Sequence, residues 1–239
     1  MGRAFEVRKQ AMAKTAKAKT RVYSKYGKEI YMAAKGNPDI EINVDLKRIV
    51  DKAKKDQVPN DIIKRAIERA KGGTDDNYTL VRYEGFGPAG SLLIVECLTD
   101  NVNRTVAEVR NCFTKTDSKL GVSGSVSHLF NYQAVFAVKG LDEEAILDVL
   151  IENDLEVIDI EEDEEGVSVF ADAKDYGAVR NVLVGVGEEV ELITDEIMWL
   201  PMMEVTIDND EDKEQFNKLL DMLNEVDDVK DVYHNIALS

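Results

Sequence analysis

The side chains best suited to chemistry in this chain are the basic ones near its N-terminus. Between Lys9 and Gly36 the sequence holds seven lysines and one arginine against a single acid, Glu29. Basic residues in such a run repel one another, and binding to a polyanion relieves that repulsion and releases counterions. The stretch is therefore typical of a segment that binds phosphate groups.

The rest of the chain carries the opposite charge. Residues 1–73 contain 19 basic and 9 acidic residues, a net charge of +10, whereas 74–239 contain 11 basic and 38 acidic residues, a net charge of −27. The two parts together give the formal charge of −17. Because an acidic surface repels nucleic acid, we expect phosphate to meet the N-terminal part only.

The spacing of apolar residues predicts which helices position these basic residues. From Arg3 to Lys19 the apolar residues are mostly alanine, which predicts either a mobile arm or a helix that forms on a partner. Beyond the arm, helical spacing predicts three amphipathic helices that form a small bundle. We place them at about Val22–Ala34, at about Val44–Asp56, and from a capping segment, Pro59–Asp61, to Gly72.

Three tyrosines, Tyr23, Tyr26 and Tyr31, alternate with the basic residues of the first helix. Such rings can stack on bases, but helical spacing favours core packing for Tyr23 and Tyr26. No helix here resembles a base-specific recognition helix, so we expect contacts mostly with backbone phosphate. For the lysines of the second and third helices, a solvated surface paired with nearby acids is the alternative.

The acidic part begins with a predicted hairpin. Strands at Leu80–Glu84 and Ser91–Leu98 are joined by GFGPAG, which matches the dinucleotide-binding pattern GxGxxG. That motif requires a helix after the glycines, and here an apolar strand follows, so we interpret the segment as a hairpin loop. A helix is predicted at about Val102–Thr116, with a capping box that starts at Thr105. After it, GVSGSVSHLF predicts a loop and a strand that ends at Phe130.

Residues 133–199 show the order βαββαβ, which is the ferredoxin-like unit. The strand MEVTI, a helix at Glu211–Val226 and a last strand, VKDVYHNIA, follow it and lack a domain of their own. The predicted fold class is α+β, with an N-terminal three-helix domain and two α/β domains. The domains are 1–77, the discontinuous pair 78–132 plus 200–239, and the ferredoxin-like 133–199 inserted into that pair.

No constellation of residues predicts catalysis or a metal site. The acidic run Glu161–Glu165 lacks the glycine and terminal glutamate of a calcium loop, so a solvated hairpin tip is expected. His128 and His234 are expected in strands with structural roles, and Cys97 and Cys112 are expected to be buried and unreactive. Two lone cysteines indicate a reduced, cytoplasmic protein. The sequence contains no apolar run of 18 residues, so we expect no membrane span.

Several segments in this order resemble one family, the YebC family. They are SKYGKEIYMAAKGNPD, DKAKKDQVPNDIIKRAIERAKGG, RYEGFGPAGSLLIVECLTDNVNRTVAEVR, GVSGSVSHLF and DVYHN. The start, MGRAFEVRKQ, is similar to the YeeN branch of that family. The resemblance covers essentially the whole chain and implies the same three-domain fold.

The resemblance also implies a cytoplasmic, non-enzymatic role in gene expression. It favours a DNA-binding transcriptional regulator, and the alternative is a ribosome-associated translation factor that binds ribosomal RNA and relieves stalling at sequences such as proline runs. The predicted partner is therefore nucleic acid, DNA or ribosomal RNA, or the ribosome itself. No cofactor, small-molecule substrate or membrane is predicted.

The resemblance, taken with the charge pattern, gives three sets of site residues. The expected phosphate contacts are Arg8, Lys9, Lys14, Lys17, Lys19, Arg21, Lys25 and Lys28. The weaker candidates are Lys64, Arg65 and Arg69. A turn that resembles the family's central motif contains Asp100, Asn101, Asn103 and Arg104, where contact with RNA or protein and helix capping are both open.

Overall fold

The N-terminal part of the protein is a three-helix bundle. The structure, a computed structural model, describes residues 19–72, 77–187 and 190–237. The arm predicted to be mobile or to fold on a partner lies before Lys19, outside the described residues. The three helices are α1 (Lys19–Ala34), α2 (Val44–Lys55) and α3 (Asn60–Lys71), close to the predicted ranges.

An apolar core joins the three helices. Ile30 of α1, Leu46 of α2 and Ile67 of α3 are buried in one cluster. Tyr26 is buried in the same cluster, and its hydroxyl donates a hydrogen bond to the carboxylate of Asp56 at the end of α2. The predicted core role of Tyr26 is therefore confirmed.

The starts of α2 and α3 are organised differently. Before α2, the side chain of Asn43 accepts the backbone N–H of Leu46, which is an ordinary N-cap. The residue before α3 is Pro59, which makes no side-chain cap, so the predicted Asx cap there is wrong. The fixed φ of proline, here −57°, orders this entry instead, and the Pro59 carbonyl accepts the N–H of Ile62.

The first sheet combines a hairpin with two strands from further along the chain. Its strands are β1 (Thr79–Phe86), β2 (Leu92–Thr99), β3 (Lys119–Leu120) and β8 (Val229–His234). Their order is β3-β1-β2-β8, and β1 and β2 are antiparallel. The motif GFGPAG contributes Gly85 and Phe86 to the end of β1 and Gly87–Gly90 to the turn before β2, so the predicted hairpin is confirmed. The helices of this part are α4 (Val102–Thr114) and α7 (Asp210–Glu225).

The strand predicted to end at Phe130 is wrong, because Phe130 begins a strand. The segment before it is a loop whose backbone bonds to a side chain: the buried carboxylate of Glu84 accepts the N–H groups of Gly124 and Val126, at 2.9 and 2.7 Å. His128 lies in the 3₁₀ turn that follows and not in a strand. With two of its N–H groups held by a carboxylate, the loop is ordered without joining a sheet.

The second sheet is the predicted ferredoxin-like unit. Its elements are β4 (Phe130–Lys139), α5 (Glu143–Glu152), β5 (Asp159–Asp163), β6 (Gly166–Asp172), α6 (Tyr176–Gly185) and β7 (Glu191–Pro201). The order of the strands is β5-β6-β4-β7 with antiparallel neighbours, and Phe136 and Ile146 lie in the core between the sheet and its two helices. Only the last two residues of the acidic run Glu161–Glu165 form the hairpin turn, because the first three belong to β5.

The segment MEVTI is not the strand that its pattern predicts. Among the described residues, the one β-bridge of this segment joins Val205 to Ile236 in parallel. The first two residues of the segment, Met203 and Glu204, are exposed. Val205 donates to the carbonyl of Asn235 and accepts from the N–H of Ala237. One paired residue is enough to hold the segment, but it does not extend a sheet.

The chain divides into two compact units. One contains 19–126 with 207–232, and the other contains 127–206 with 233–237. The fold class is the predicted one, α+β, with N-terminal helices followed by two four-stranded sheets. The three-domain division stays a prediction. None of the described helices is long and apolar enough to cross a membrane.

Candidate nucleic-acid interface

Two lysines of α1, both predicted phosphate contacts, are ion-paired within their own unit. Lys25 Nζ lies 2.7 Å from Asp231 Oδ1, and Lys28 Nζ lies 2.7 Å from Asp228 Oδ1. The Lys28 side chain is only 15% exposed and that of Asp228 only 3%. These two lysines therefore hold α1 against β8 and the residue that precedes it.

Asp228 is the centre of a buried polar network. Its Oδ2 accepts hydrogen bonds from Thr99 Oγ1 at 3.0 Å, Thr105 Oγ1 at 2.8 Å and Arg104 Nη2 at 2.5 Å. Burial alone would raise the pKa of the carboxyl, but the hydrogen bonds from Arg104, Lys28 and Thr105 outweigh it and lower the pKa to about 2. The group is therefore a carboxylate at every physiological pH.

A second carboxylate, that of Asp231 in β8, has a similar arrangement. Asp231 accepts from Lys25 and lies 3.3 Å from Lys230 Nζ. The two cations hold the pKa of Asp231 far below its usual range against the effect of burial. In return, the carboxylate raises the pKa of Lys25 and Lys230, although burial opposes this. The three groups carry a net charge of +1 in a partly buried site.

The turn between β2 and α4 belongs to the Asp228 network. Asn101 caps α4, since its side chain accepts the N–H of Arg104 at 3.1 Å. The predicted capping box is wrong, because the Thr105 hydroxyl is used by Thr99 and Asp228 instead. Arg104 also pairs with Asp100, at 2.8 Å, and hydrogen bonds to both aspartates hold its pKa above the usual range.

This turn therefore has a structural role in the described part of the chain. Its residues Asp100, Asn101, Asn103 and Arg104 are all exposed, yet the guanidinium of Arg104 donates a hydrogen bond to the buried carboxylate of Asp228. Of the two readings left open, capping holds for Asn101. Asn103 lies exposed in the first turn of α4.

The basic residues of α3 point to solvent. Lys64 and Arg65 are exposed, and Arg65 donates only its Nε, to the carbonyl of Asp61 one turn earlier. Within the described residues Lys64 has no ion-pair partner. Arg69 is also exposed, and its guanidinium lies 5.4 Å from the ring centre of Tyr31, a cation–π contact with a buried ring.

The remaining predicted contacts divide into two groups. Arg21 is exposed and forms only a distant pair with Glu225, 3.9 Å away. Arg8, Lys9, Lys14 and Lys17 lie outside the described residues, as does the side chain of Lys19. The structure brings Lys28 and Arg104 together at Asp228, whereas Lys64 and Arg65 are exposed on α3.

A cleft of about 630 Å³ opens beside the Asp228 network. Lys28, Arg104 and Asp228 line the cleft, and Glu108 and Glu225 add further negative charge to its lining. The two cationic groups are already bonded to Asp228 and Asp100. The cleft therefore offers an anion no unpaired cation among its described residues.

Sequence reasoning missed Asp228 and Asp231. One signal was present in the sequence. In DDVKD, two aspartates stand immediately before a predicted strand, at a turn position where glycine or asparagine is more usual. The partners of the two aspartates lie some 200 positions away in α1. No local pattern encodes a contact over that separation.

Both cysteines and one histidine, His234, are buried in the fold. Cys97 and Cys112 are free and buried, and burial raises the pKa of Cys97 to about 12 and also raises that of Cys112. Thiols with such values are poor nucleophiles, as expected. His234 is buried in β8, where its Nδ1 accepts the N–H of Ile236. No group of three metal-ligating side chains occurs among the described residues.

Comparison with known proteins links the chain to one family along its length. A family profile described as the TACO1/YebC protein N-terminal domain matches residues 3–73. A second profile, the TACO1/YebC second and third domain, matches residues 78–236. Together the two profiles span the helical bundle and both sheets.

Relatives of this kind come from several bacteria. A "probable transcriptional regulatory protein" of Pseudoalteromonas atlantica is 56% identical over 239 residues, covering 100% of this chain and 98% of the relative. One of Alteromonas mediterranea is 55% identical, with 98% of each chain covered. The crystal structure of a conserved hypothetical protein from Aquifex aeolicus has a TM-score of 0.77 and 34% identity, covering 94% of this chain and 93% of that one.

The Asp228 network gives a prediction about stability. Asp228→Asn removes the charge that Lys28 and Arg104 share, so we expect the free energy of unfolding at pH 7 to fall by about 3 kcal/mol. Asp100→Asn, the matched control at the exposed partner of Arg104, should cost under about 1 kcal/mol. Urea denaturation measures both changes, and equal losses would show that Asp228 is not the centre.

The same network predicts a pH dependence. The folded-state pKa of Asp228 is lowered from 3.8 to about 2, so its stabilising effect is present above about pH 4 and is lost as the pH falls through about 2. The gap in stability between wild type and Asp228→Asn should therefore close between pH 4 and pH 2. A gap that stayed constant over this range would contradict the lowered pKa.

Proposed function

Because the chain belongs to the TACO1/YebC family, we propose that it is a cytoplasmic, non-enzymatic regulator of gene expression that binds nucleic acid through its basic N-terminal part. Relatives that share about half of its residues are named "probable transcriptional regulatory protein", which supports a regulatory role. The binding mode rests on this chain's own charge distribution.

The observation that carries the proposal is the separation of charge. The net charge is +10 in residues 1–73 and −27 in the rest of the chain. An approaching phosphate backbone is attracted to one part and repelled by the other. Long-range repulsion of this size favours a single orientation on the nucleic acid, with the bundle toward the phosphates.

The ion pairs of α1 reduce the number of lysines that are available to contact phosphate. Lys25 and Lys28 would have to give up Asp231 and Asp228 before they could bind phosphate, and that exchange loses buried, charge-assisted hydrogen bonds. We therefore assign the phosphate contacts to the arm before Lys19 and to the exposed faces of α2 and α3. On α3, Lys64 and Arg65 are the side chains best placed for this role.

Phosphate contacts of this kind serve DNA and RNA alike. The exposed basic residues are spread over two helices, α2 and α3, and this favours an irregular phosphate surface such as folded RNA as much as a duplex groove. A ribosome-associated translation factor bound to ribosomal RNA is therefore the second candidate. Crosslinking in cells, followed by sequencing of the bound nucleic acid, separates them: promoter peaks support the regulator of transcription, and ribosomal RNA peaks replace it with the second candidate.

Removing two exposed charges from α3 gives a direct test. Lys64→Ala with Arg65→Ala should weaken binding to duplex DNA, and the slope of log K against log salt should become shallower by about 1 to 2, since up to two phosphate contacts are lost. The measurement is a salt titration of fluorescence anisotropy.

A matched control variant is available on α7. Lys213→Ala with Lys218→Ala removes the same charge from two exposed helical positions in the same unit. We expect it to leave the salt slope unchanged. If both double variants change binding equally, net charge alone matters and the assignment to α3 fails.

The arm gives the second test of the binding surface. Deletion of residues 1–18 removes Arg8, Lys9, Lys14 and Lys17 but leaves α1 and its ion pairs intact. Affinity for nucleic acid should fall by at least about tenfold at low salt, while the melting temperature stays within a few degrees of wild type. Unchanged affinity would show that the arm does not contact phosphate.

A further inference from the structure

An aromatic and methionine surface lies at one end of the ferredoxin-like sheet. Met203 is 78% exposed, Met202 56% and Tyr132 48%, and Leu129 is 39% exposed. Trp199, the one tryptophan of the sequence, lies partly exposed beside Tyr132. We call these five residues the Met–Trp surface.

Backbone pairing brings these residues to one end of the sheet. Tyr132 on β4 is opposite Trp199 on β7, and their ring centres are 4.7 Å apart. Beyond the last paired residues, the N–H of Met202 donates to the carbonyl of Leu129 at 3.0 Å. All five residues therefore lie at the same ends of two adjacent strands.

The composition of the surface is that of a protein-binding site. Methionine side chains are flexible and polarizable and fit varied apolar partners, and tryptophan and tyrosine are enriched among residues that dominate binding energy. Clustered exposed side chains of these types mark interaction sites, whereas scattered ones do not. Nothing in the βαββαβ fold requires Met202 and Met203 to be exposed and apolar.

The net charge of the unit that carries the surface selects the partner. Residues 127–206 hold 21 acidic and 3 basic residues, a net charge of −18. A nucleic acid or an anionic membrane would be repelled. A cationic segment would be attracted, and its lysine or arginine side chains would find aromatic faces at Tyr132 and Trp199.

We propose that the Met–Trp surface binds a basic, amphipathic segment of another protein, with apolar side chains against Met202 and Met203. The segment's cationic residues face the surrounding carboxylates. This site lies in a different unit from α2 and α3, and its test uses other variants and another probe than the test of the phosphate surface, so the two proposals can fail separately.

The single tryptophan makes the test direct. The probe is a synthetic peptide of about 18 residues, long enough to form a helix, built from lysine and leucine with the leucines on one face. Added to the full-length protein, it should shift or quench the fluorescence of Trp199. An isomer of the same composition with scattered leucines should bind at least about tenfold more weakly.

Two variants locate the site. Met202→Ser with Met203→Ser should weaken probe binding about tenfold or more, while melting curves stay unchanged because both side chains are exposed. The control is Leu147→Ser with Ile151→Ser, two exposed apolar residues on α5 of the same acidic unit. It leaves the net charge unchanged and should leave binding of the probe unchanged.

Three outcomes would overturn the proposal. Equal loss in both variants, or equal binding of the two peptide isomers, would reduce the interaction to general attraction between opposite charges. A stronger response of Trp199 to a single-stranded RNA oligonucleotide than to the peptide would assign the surface to nucleic acid. No change in Trp199 fluorescence with either probe would show that the surface does not bind a partner of this chemistry.

Discussion

The position of helix α1 depends on one buried carboxylate, that of Asp228. It gathers Lys28 from the bundle, Arg104 from the first helix after the β1–β2 hairpin, and two threonine hydroxyls. A charge with so little exposure is stable only when it is fully paired, so each partner is fixed once the carboxylate is buried. The network thus makes the basic bundle and the first sheet one unit.

This constraint separates two kinds of basic residue that look alike in the sequence. Lys25 and Lys28 are used to hold the fold, and their charge is largely cancelled by Asp231 and Asp228. Lys64 and Arg65, on the exposed side of α3, keep their charge available to solvent. The proposed phosphate surface therefore consists of the arm and the exposed faces of α2 and α3, and it does not include Lys25 and Lys28 of α1.

Much of the fold was predictable because its signals are local. Helical spacing located α1 to α3, and the strand after GFGPAG excluded a dinucleotide site and indicated a hairpin. Two failures have a common cause in contacts between distant positions: the Glu84 carboxylate bonds the backbone where a strand was expected, and the Thr105 hydroxyl bonds Asp228 instead of forming a capping box. The pairing of α1 lysines with aspartates some 200 positions away was equally beyond local reasoning.

The central claim is that phosphate meets the basic N-terminal part and not the acidic remainder. Ultraviolet crosslinking of the full-length protein to a labelled nucleic acid, followed by mass spectrometry of the crosslinked peptides, tests it most directly. The crosslinked peptides should come from residues 1–73, with peptides of the arm and of α3 prominent. Crosslinks concentrated in 127–206, the unit that carries a net charge of −18, would contradict the account.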